Sequence, residues 1–200
     1  MRIIAGRFRG RKLKSPPSLA TRPTSDRLRE TLFNILAPRI EGARFLDLCA
    51  GTGAVGIEAL SRGASHVTFV DQSRKMCALI EANLEGLAID EDEIEIVTSE
   101  ALHFLGTAQR NSSEPSLTVG RLPRRQPFDI IFFDPPYAAD YGPLLNYLGE
   151  STASLLSKEG IVIVEHFSKN VLNEEFGQLK RRRVRKQGDS SLSFYERTAA

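Results

Sequence analysis

Phe45-Leu46-Asp47-Leu48-Cys49-Ala50-Gly51-Thr52-Gly53-Ala54-Val55-Gly56 sets the frame for the whole chain. It reads as a buried strand, a glycine-rich turn and the start of a helix. Gly51, Gly53 and Gly56 spell G-x-G-x-x-G, a pattern that lets backbone approach a ligand beside a positive helix N-terminus. Outward from this unit, strand and helix signals alternate. Strands are expected at residues 44–49, 66–71, 93–98, 128–134 and 161–166. Helices are expected at 53–62, 73–85, 100–105 and 141–156. Such alternation predicts a parallel sheet with helices on both faces. The tail departs from it. Residues 178–186 and 191–196 read as two strands around Gln187-Gly188-Asp189-Ser190, a turn composition, and predict an antiparallel hairpin at one sheet edge. Before the unit, Thr24 or Ser25 can cap a helix running to Ala37, with Leu28, Leu32, Phe33, Ile35 and Leu36 on one face. A short hairpin is expected around Gly6 to Gly10.

The chain has 200 residues, 41% hydrophobic and 26% charged, which suits one soluble domain. It shows no secretory signal and no apolar run of membrane-spanning length. Cys49 and Cys77 form neither a metal spacing nor a disulfide framework, so both read as small buried hydrophobes in a reducing cytosol. His66, His103 and His166 share no ligand spacing and read as packing or surface residues.

Net charge is only +2, but it is unevenly placed. Residues 1–14 carry Arg2, Arg7, Arg9, Arg11, Lys12 and Lys14 with no acid. Residues 180–186 carry another six basic groups, which leaves the rest of the chain about ten charges negative. This is the footprint of a polyanion partner. Residues 106–127, rich in Ser, Arg, Pro and Gly, read as a mostly disordered insertion.

Two stretches carry chemistry. The glycine turn suits either a dinucleotide or S-adenosylmethionine (SAM), and Asp71, about 20 residues on, suits ribose hydroxyls in both. Asp47, inside the first strand, would repel a pyrophosphate but tolerate a sulfonium; alternatively it only bonds the turn's amides. Glu100, after the third strand, could accept from an adenine amine or simply sit at a helix N-terminus. The second stretch is Asp134-Pro135-Pro136-Tyr137, at the exit of the buried strand Phe128-Asp129-Ile130-Ile131-Phe132-Phe133. The lone pair of an exocyclic nucleobase amine is delocalised into the ring. An Asp134 carboxylate and a Pro135 carbonyl, held rigid by the prolines, would draw the nitrogen toward tetrahedral geometry and stabilise its developing charge. Tyr137 would stack on the base. A plain strand stop and turn is the bland alternative.

On these residues the chain resembles the RsmD family of bacterial ribosomal RNA methyltransferases. The resemblance runs through Arg2-Ile3-Ile4-Ala5-Gly6, Arg9-Gly10-Arg11-Lys12-Leu13, Arg22-Pro23-Thr24, Asp26-Arg27 and Arg29-Glu30-Thr31-Leu32-Phe33-Asn34. It continues through the glycine turn and Glu58-Ala59-Leu60-Ser61-Arg62-Gly63-Ala64 to the Asp-Pro-Pro-Tyr tetrapeptide. It implies a Rossmann-like SAM-dependent methyltransferase fold, with a mostly parallel seven-stranded sheet and a C-terminal antiparallel hairpin. It divides the chain into a basic RNA-binding arm at residues 1–23 and the methyltransferase domain at 24–200. Carried over, Asp47, Ala50, Gly51, Thr52, Gly53, Asp71, Glu100 and Ala101 would hold SAM, and Asp134, Pro135, Pro136 and Tyr137 the target base. Arg2, Arg7, Arg9, Arg11, Lys12, Arg22 and Arg27 would contact RNA. The implied reaction is methylation of a guanine N2 in 16S ribosomal RNA, in line and without a metal, by a cytoplasmic monomer acting on an assembling or assembled 30S particle. The rival readings are a DNA adenine-N6 methyltransferase, a non-catalytic RNA-binding assembly factor and a NAD-dependent oxidoreductase. Asp71 stands where many relatives have Glu, and Glu100 where Asn or Asp is usual.

Overall fold

The structure is a computed structural model that describes residues 1–16, 25–113, 126–136 and 140–198. Eight strands form one sheet in the order β3-β2-β1-β4-β5-β8-β7-β6. The strands are β1 (Arg44–Leu48), β2 (His66–Asp71), β3 (Ile94–Thr98), β4 (Phe128–Phe133), β5 (Leu156–Phe167), β6 (Glu175–Phe176), β7 (Leu179–Gln187) and β8 (Ser190–Arg197). β1 to β5 pair in parallel. β8 runs antiparallel to β5, and β7 to β8, as the tail composition predicts. The one strand beyond the expected seven is the two-residue β6, too short to leave a periodicity signal.

The helices are α1 (Asp26–Leu36), α2 (Ala54–Ser61), α3 (Arg74–Glu85), α4 (Ala101–Ser113), α5 (Gly142–Glu150) and α6 (Thr152–Leu155). The sheet separates two apolar layers. One joins α1, α2 and α3 to Ile130 and Phe132 of β4 and to Leu192 and Phe194 of β8. The other joins α4, α5 and α6 to Phe128, Ile131 and Phe133. Past the irregularity between Phe128 and Ile130, residues 130–133 alternate between the two layers, as in a strand covered on both faces. α1 begins where Ser25 Oγ accepts the Leu28 N–H at 3.2 Å, the N-cap the sequence predicts.

Three features correct the sequence reading. The helix expected to stop at Leu105 runs on to Ser113, so the first part of the stretch read as disordered is helical. Its face continues through Leu105 and the small Ala108, both buried, and Tyr147 of α5 donates to Gln109. Residues 114–125 lie outside the described residues. The single helix expected at 141–156 is two, broken at Ser151, because Leu156 already pairs with Phe128. The basic N-terminal segment is packed rather than free. Ile3 and Leu13 are buried in the α1–α2–α3 layer, and an isolated antiparallel bridge joins Arg2 to Lys12 around the expected turn.

Candidate active site

The C-terminal ends of β1 to β5 open into one cleft of about 840 Å³. That is the ligand-binding edge of an open α/β sheet, and the volume suits a small molecule with room for a second group. Its first wall is the turn after β1. Cys49 adopts φ +61°, a left-handed conformation that side chains rarely take. Ala50 N–H then donates to Val70 O at 3.0 Å, and Gly53 N–H to Ala50 O at 2.8 Å. Gly53, at φ +74°, serves as the α2 N-cap without a side chain. A Cβ on Gly56 would meet Phe69 Cε1 at 2.3 Å, so this third glycine lets α2 lie against β2. The fingerprint therefore shapes the turn in the way its spacing predicts.

Two carboxylates hold this turn. Asp71 at the end of β2 accepts from Gly51 N–H (2.8 Å) with one oxygen and from Ser73 N–H (2.8 Å) with the other. Asp47 accepts from Gly56 N–H at 2.9 Å and so supplies the cap that Gly53 lacks. Asp47 is 1% exposed yet lines the cleft. Burial, opposed by the Gly56 hydrogen bond, pushes its carboxyl up to about 7. Asp47 thus bonds a helix amide and lines the cleft.

Glu100 and Ala101 form the next wall at the start of α4, where Glu100 O accepts Phe104 N–H. Asp134, Pro135 and Pro136 follow β4, and Asp134 N–H donates to Leu48 O at 3.3 Å. Pro135 is buried and Pro136 exposed. Tyr137 and Arg22 lie outside the described residues. Two acids missed by sequence reading, Asp140 and Glu165, also line the cleft; Glu165 on β5 is buried and accepts from Ser190 Oγ at 3.2 Å. Its place beside Asp134 follows from the β4–β5 register, where Phe133 is opposite Val164, and from no local pattern.

The lining therefore holds six carboxylates and, among the described residues, no lysine, arginine or histidine. Cys49 registers the resulting potential. Burial first, then the charges of Asp71, Asp134, Asp47 and Glu100, push its thiol up to about 12. Cys49 is thus a cleft residue, not the core hydrophobe expected, whereas Cys77 is buried. A pyrophosphate entering here would meet like charge, while a sulfonium and an ammonium would be attracted.

The N-terminal segment is tied to α2, α3 and the glycine turn behind the cleft wall. Ile4 and Ala5 N–H donate to the carboxylate of Glu58, a fully buried acid of α2, at 2.8 and 3.0 Å. Asn83 Nδ2 bridges Lys14 O (3.3 Å) and Thr52 O (3.4 Å), which ties the segment to the glycine turn. Arg29, also fully buried, reaches Arg2 O (2.8 Å), Asp26 (2.7 Å) and Ala54 O (3.5 Å). Sequence reading gave Glu58 and Arg29 no role of their own, though Glu58 and Arg62 have the i, i+4 spacing of a helix ion pair and bond at 2.7 Å. Of the basic residues read as RNA contacts, Arg7 pairs with Glu93, Arg11 donates to Gly86 O at 2.8 Å and Arg2 lies 3.6 Å from Asp26. Arg9, Lys12 and Arg27 are exposed.

Known proteins match this chain over most of its length. The Escherichia coli ribosomal RNA small subunit methyltransferase D is 36% identical over 200 residues, covering 100% of this chain and 91% of the relative. The Bacillus subtilis protein YlbH is 35% identical over 198 residues, covering 98% and 99%. The solved structure of the Escherichia coli protein yhhF superposes with a TM-score of 0.80 at 34% identity, covering 100% and 99%. Together the fold and the acidic cleft define a Rossmann-like, SAM-dependent methyltransferase. The family described as Conserved hypothetical protein 95 matches residues 1–196, and the chain belongs to it, the RsmD family.

Proposed function

We propose that this protein transfers the SAM methyl group to the exocyclic N2 of a guanine in small-subunit ribosomal RNA, acting as a monomer on an assembling or assembled particle. The observation that carries the reading is the position of Asp134 and Pro135. They form the exit of β4 and line the cleft built by the glycine turn. The name and coverage of the Escherichia coli relative support the ribosomal substrate.

SAM supplies an electrophilic methyl group on a sulfonium. The residues of the cleft fit that cation, with acids on every wall and no lining base among the described residues. Ala50, Gly51, Thr52 and Gly53 would hold its methionine and ribose part against Asp47, with Asp71 on the ribose and Glu100 and Ala101 flanking adenine. Asp134 and the Pro135 carbonyl accept from the guanine amine, which localises its lone pair and stabilises the charge that grows on nitrogen. Bound SAM would supply the methyl group to that nitrogen, and Asp134 or water would take the amine proton released. Tyr137 and Pro136 complete the base site. Arg9, Lys12, Arg22 and Arg27, with Arg2, Arg7 and Arg11, face the RNA.

Nucleoside mass spectrometry after incubation with SAM and small ribosomal particles tests the reading. Wild-type protein should produce N2-methylguanosine. Asp134→Ala should bind SAM normally and lose transfer by about 10³-fold or more, the scale of losing a preorganised polar group. Methylation of DNA adenine instead, or undiminished turnover by Asp134→Ala, would overturn it.

A further inference from the structure

β7 is the most basic strand, and its geometry is unusual. Arg182, Arg183, Val184, Arg185 and Lys186 are all exposed, so both faces of the strand meet solvent there. One edge pairs with β8 as far as Gln187. The other pairs with β6 only at Leu179 and Lys180. Arg181 N–H still donates to Glu174 O at 2.7 Å, and from Arg182 to Gln187 that edge is open among the described residues.

The charges on it are of two kinds. Lys180, Arg181 and Arg182 lie within 2.7, 3.5 and 3.9 Å of Glu175, Glu174 and Glu196. Past the bulge between Arg181 and Arg183, no carboxylate among the described residues neutralises Arg183, Arg185 or Lys186. Arg183 sits opposite Phe194 and Arg185 opposite Leu192, two residues buried in the layer that holds α1. The two side chains therefore leave from the α1 side of the sheet, on Cα atoms roughly 7 Å apart along the strand. Gln187 continues that row and accepts from Thr31 Oγ1 of α1 at 2.8 Å. On its buried side α1 packs on the start of α2, where Arg29 approaches Ala54 O at 3.5 Å. One surface thus joins α1 to the unpaired end of β7.

We propose that Arg183 and Arg185 on the α1 face of β7, with Lys186 on the opposite face of the same open edge, form a docking surface for RNA phosphates, separate from the N-terminal segment. The inference rests on the RNA-substrate reading above. Guanidinium forks match phosphate oxygens, and contacts of this kind position a nucleic acid without reading its sequence. Basic side chains also keep open strand edges from pairing with other chains, which is the competing role for these three residues.

The test compares wild-type protein with the triple variant Arg183→Gln, Arg185→Gln, Lys186→Gln, and with Lys158→Gln at the far end of β5 as a single-charge control. Methyl transfer to small-subunit particles, SAM affinity, and RNA retention on filters against salt are measured for each. The triple variant should raise KM for RNA about tenfold or more with kcat and SAM affinity unchanged. Its slope of log affinity against log salt should fall by about 2, near 0.7 for each lost phosphate contact. Lys158→Gln should move neither. Wild-type KM and slope in the triple variant would overturn the proposal. So would a variant that self-associates in sedimentation while keeping wild-type KM, because the charges would then only guard the edge. If wild-type protein methylates no RNA, the substrate reading fails, and the filter slopes still decide the surface.

Discussion

Residues 1–14 and 180–186 carry the same six basic groups with no acid, yet the fold uses them in opposite ways. The N-terminal segment is fixed by its backbone. Its Ile4 and Ala5 amides end on Glu58, its Arg7 amide on Ser61 O at 2.8 Å and its Lys14 amide on Asn83 Oδ1 at 2.7 Å. Ile3 and Leu13 lock it into the core. The second segment is held along one edge by β8 and presents its charges outward. Equal charge in sequence therefore need not mean equal anchoring of the backbone that carries it. What decides is where the backbone polar groups go, since buried amides must find acceptors. For the first segment the acceptors lie on α2 and α3, so its backbone is anchored along both helices.

The strongest challenge to this contrast is Glu58→Ala. The substitution removes the acceptor for two backbone amides and the partner of Arg62, all at a fully buried carboxylate. Loss of about 3–5 kcal/mol is expected in urea unfolding, the range for breaking a buried, compensated charge. Early proteolytic cleavage within residues 1–16 should accompany it. Arg183→Ala on β7 should stay within about 0.5 kcal/mol of wild type. Equal stability of the two variants would erase the distinction between a stapled segment and a presented one.

A smaller effect, with a definite sign, separates Glu58 from Asp47, a buried acid of the cleft. Glu58 has Arg62 at 2.7 Å, whereas Asp47 is bonded by an amide, and burial raises its carboxyl from 3.8 to about 7. The folded state thus binds a proton that the unfolded chain releases. The associated stability is full below pH 3.8, falls as pH rises from there, and is gone above about 7. Asp47→Asn keeps an oxygen for Gly56 N–H. It should flatten this part of the stability profile and raise stability at pH 8 by up to a few kcal/mol. A bound cation favours the carboxylate form, so wild-type SAM affinity should climb as pH rises toward 7 with release of a proton. The variant should show neither effect in calorimetry across buffers of different ionisation heat. A wild-type stability profile that is flat between pH 4 and 7 would mean that Asp47 keeps its ordinary titration.

Much of the scaffold was legible because parallel strands covered on both faces are continuous apolar runs, as Phe128–Phe133 shows. The chemistry was legible where it is local. The glycine turn and Asp134 with its prolines each sit at the end of such a run, and the fold brings both to one cleft. What escaped depends on partners distant in sequence. Glu58 matters through amides 53 and 54 residues away, and Glu165 through the register of β5 against β4. The extension of α4 rests on Ala108, too small to mark an apolar face. The open edge of β7 exists because β6 is only two residues long.

The smallest expected effect tests whether a stapled charge can still serve RNA. The Arg7 guanidinium donates to both oxygens of Glu93 and lies 4.5 Å from the centre of the Phe8 ring. The pair is partly exposed, 47% and 27%, so Arg7→Gln should cost less than about 1 kcal/mol of stability. To meet a phosphate, Arg7 must first leave Glu93. Its contribution to RNA affinity is thereby reduced by whatever the pair is worth, a penalty that Arg183 does not carry. Glu93→Gln should therefore tighten RNA binding a few-fold, and only when Arg7 is present. Arg7→Gln alone should weaken binding less than Arg183→Gln does. In the double variant the gain from Glu93→Gln should vanish. If Glu93→Gln instead leaves affinity unchanged while Arg7→Gln matches Arg183→Gln, the N-terminal arginine is as available as those on β7, and the contrast between the two segments does not extend to Arg7.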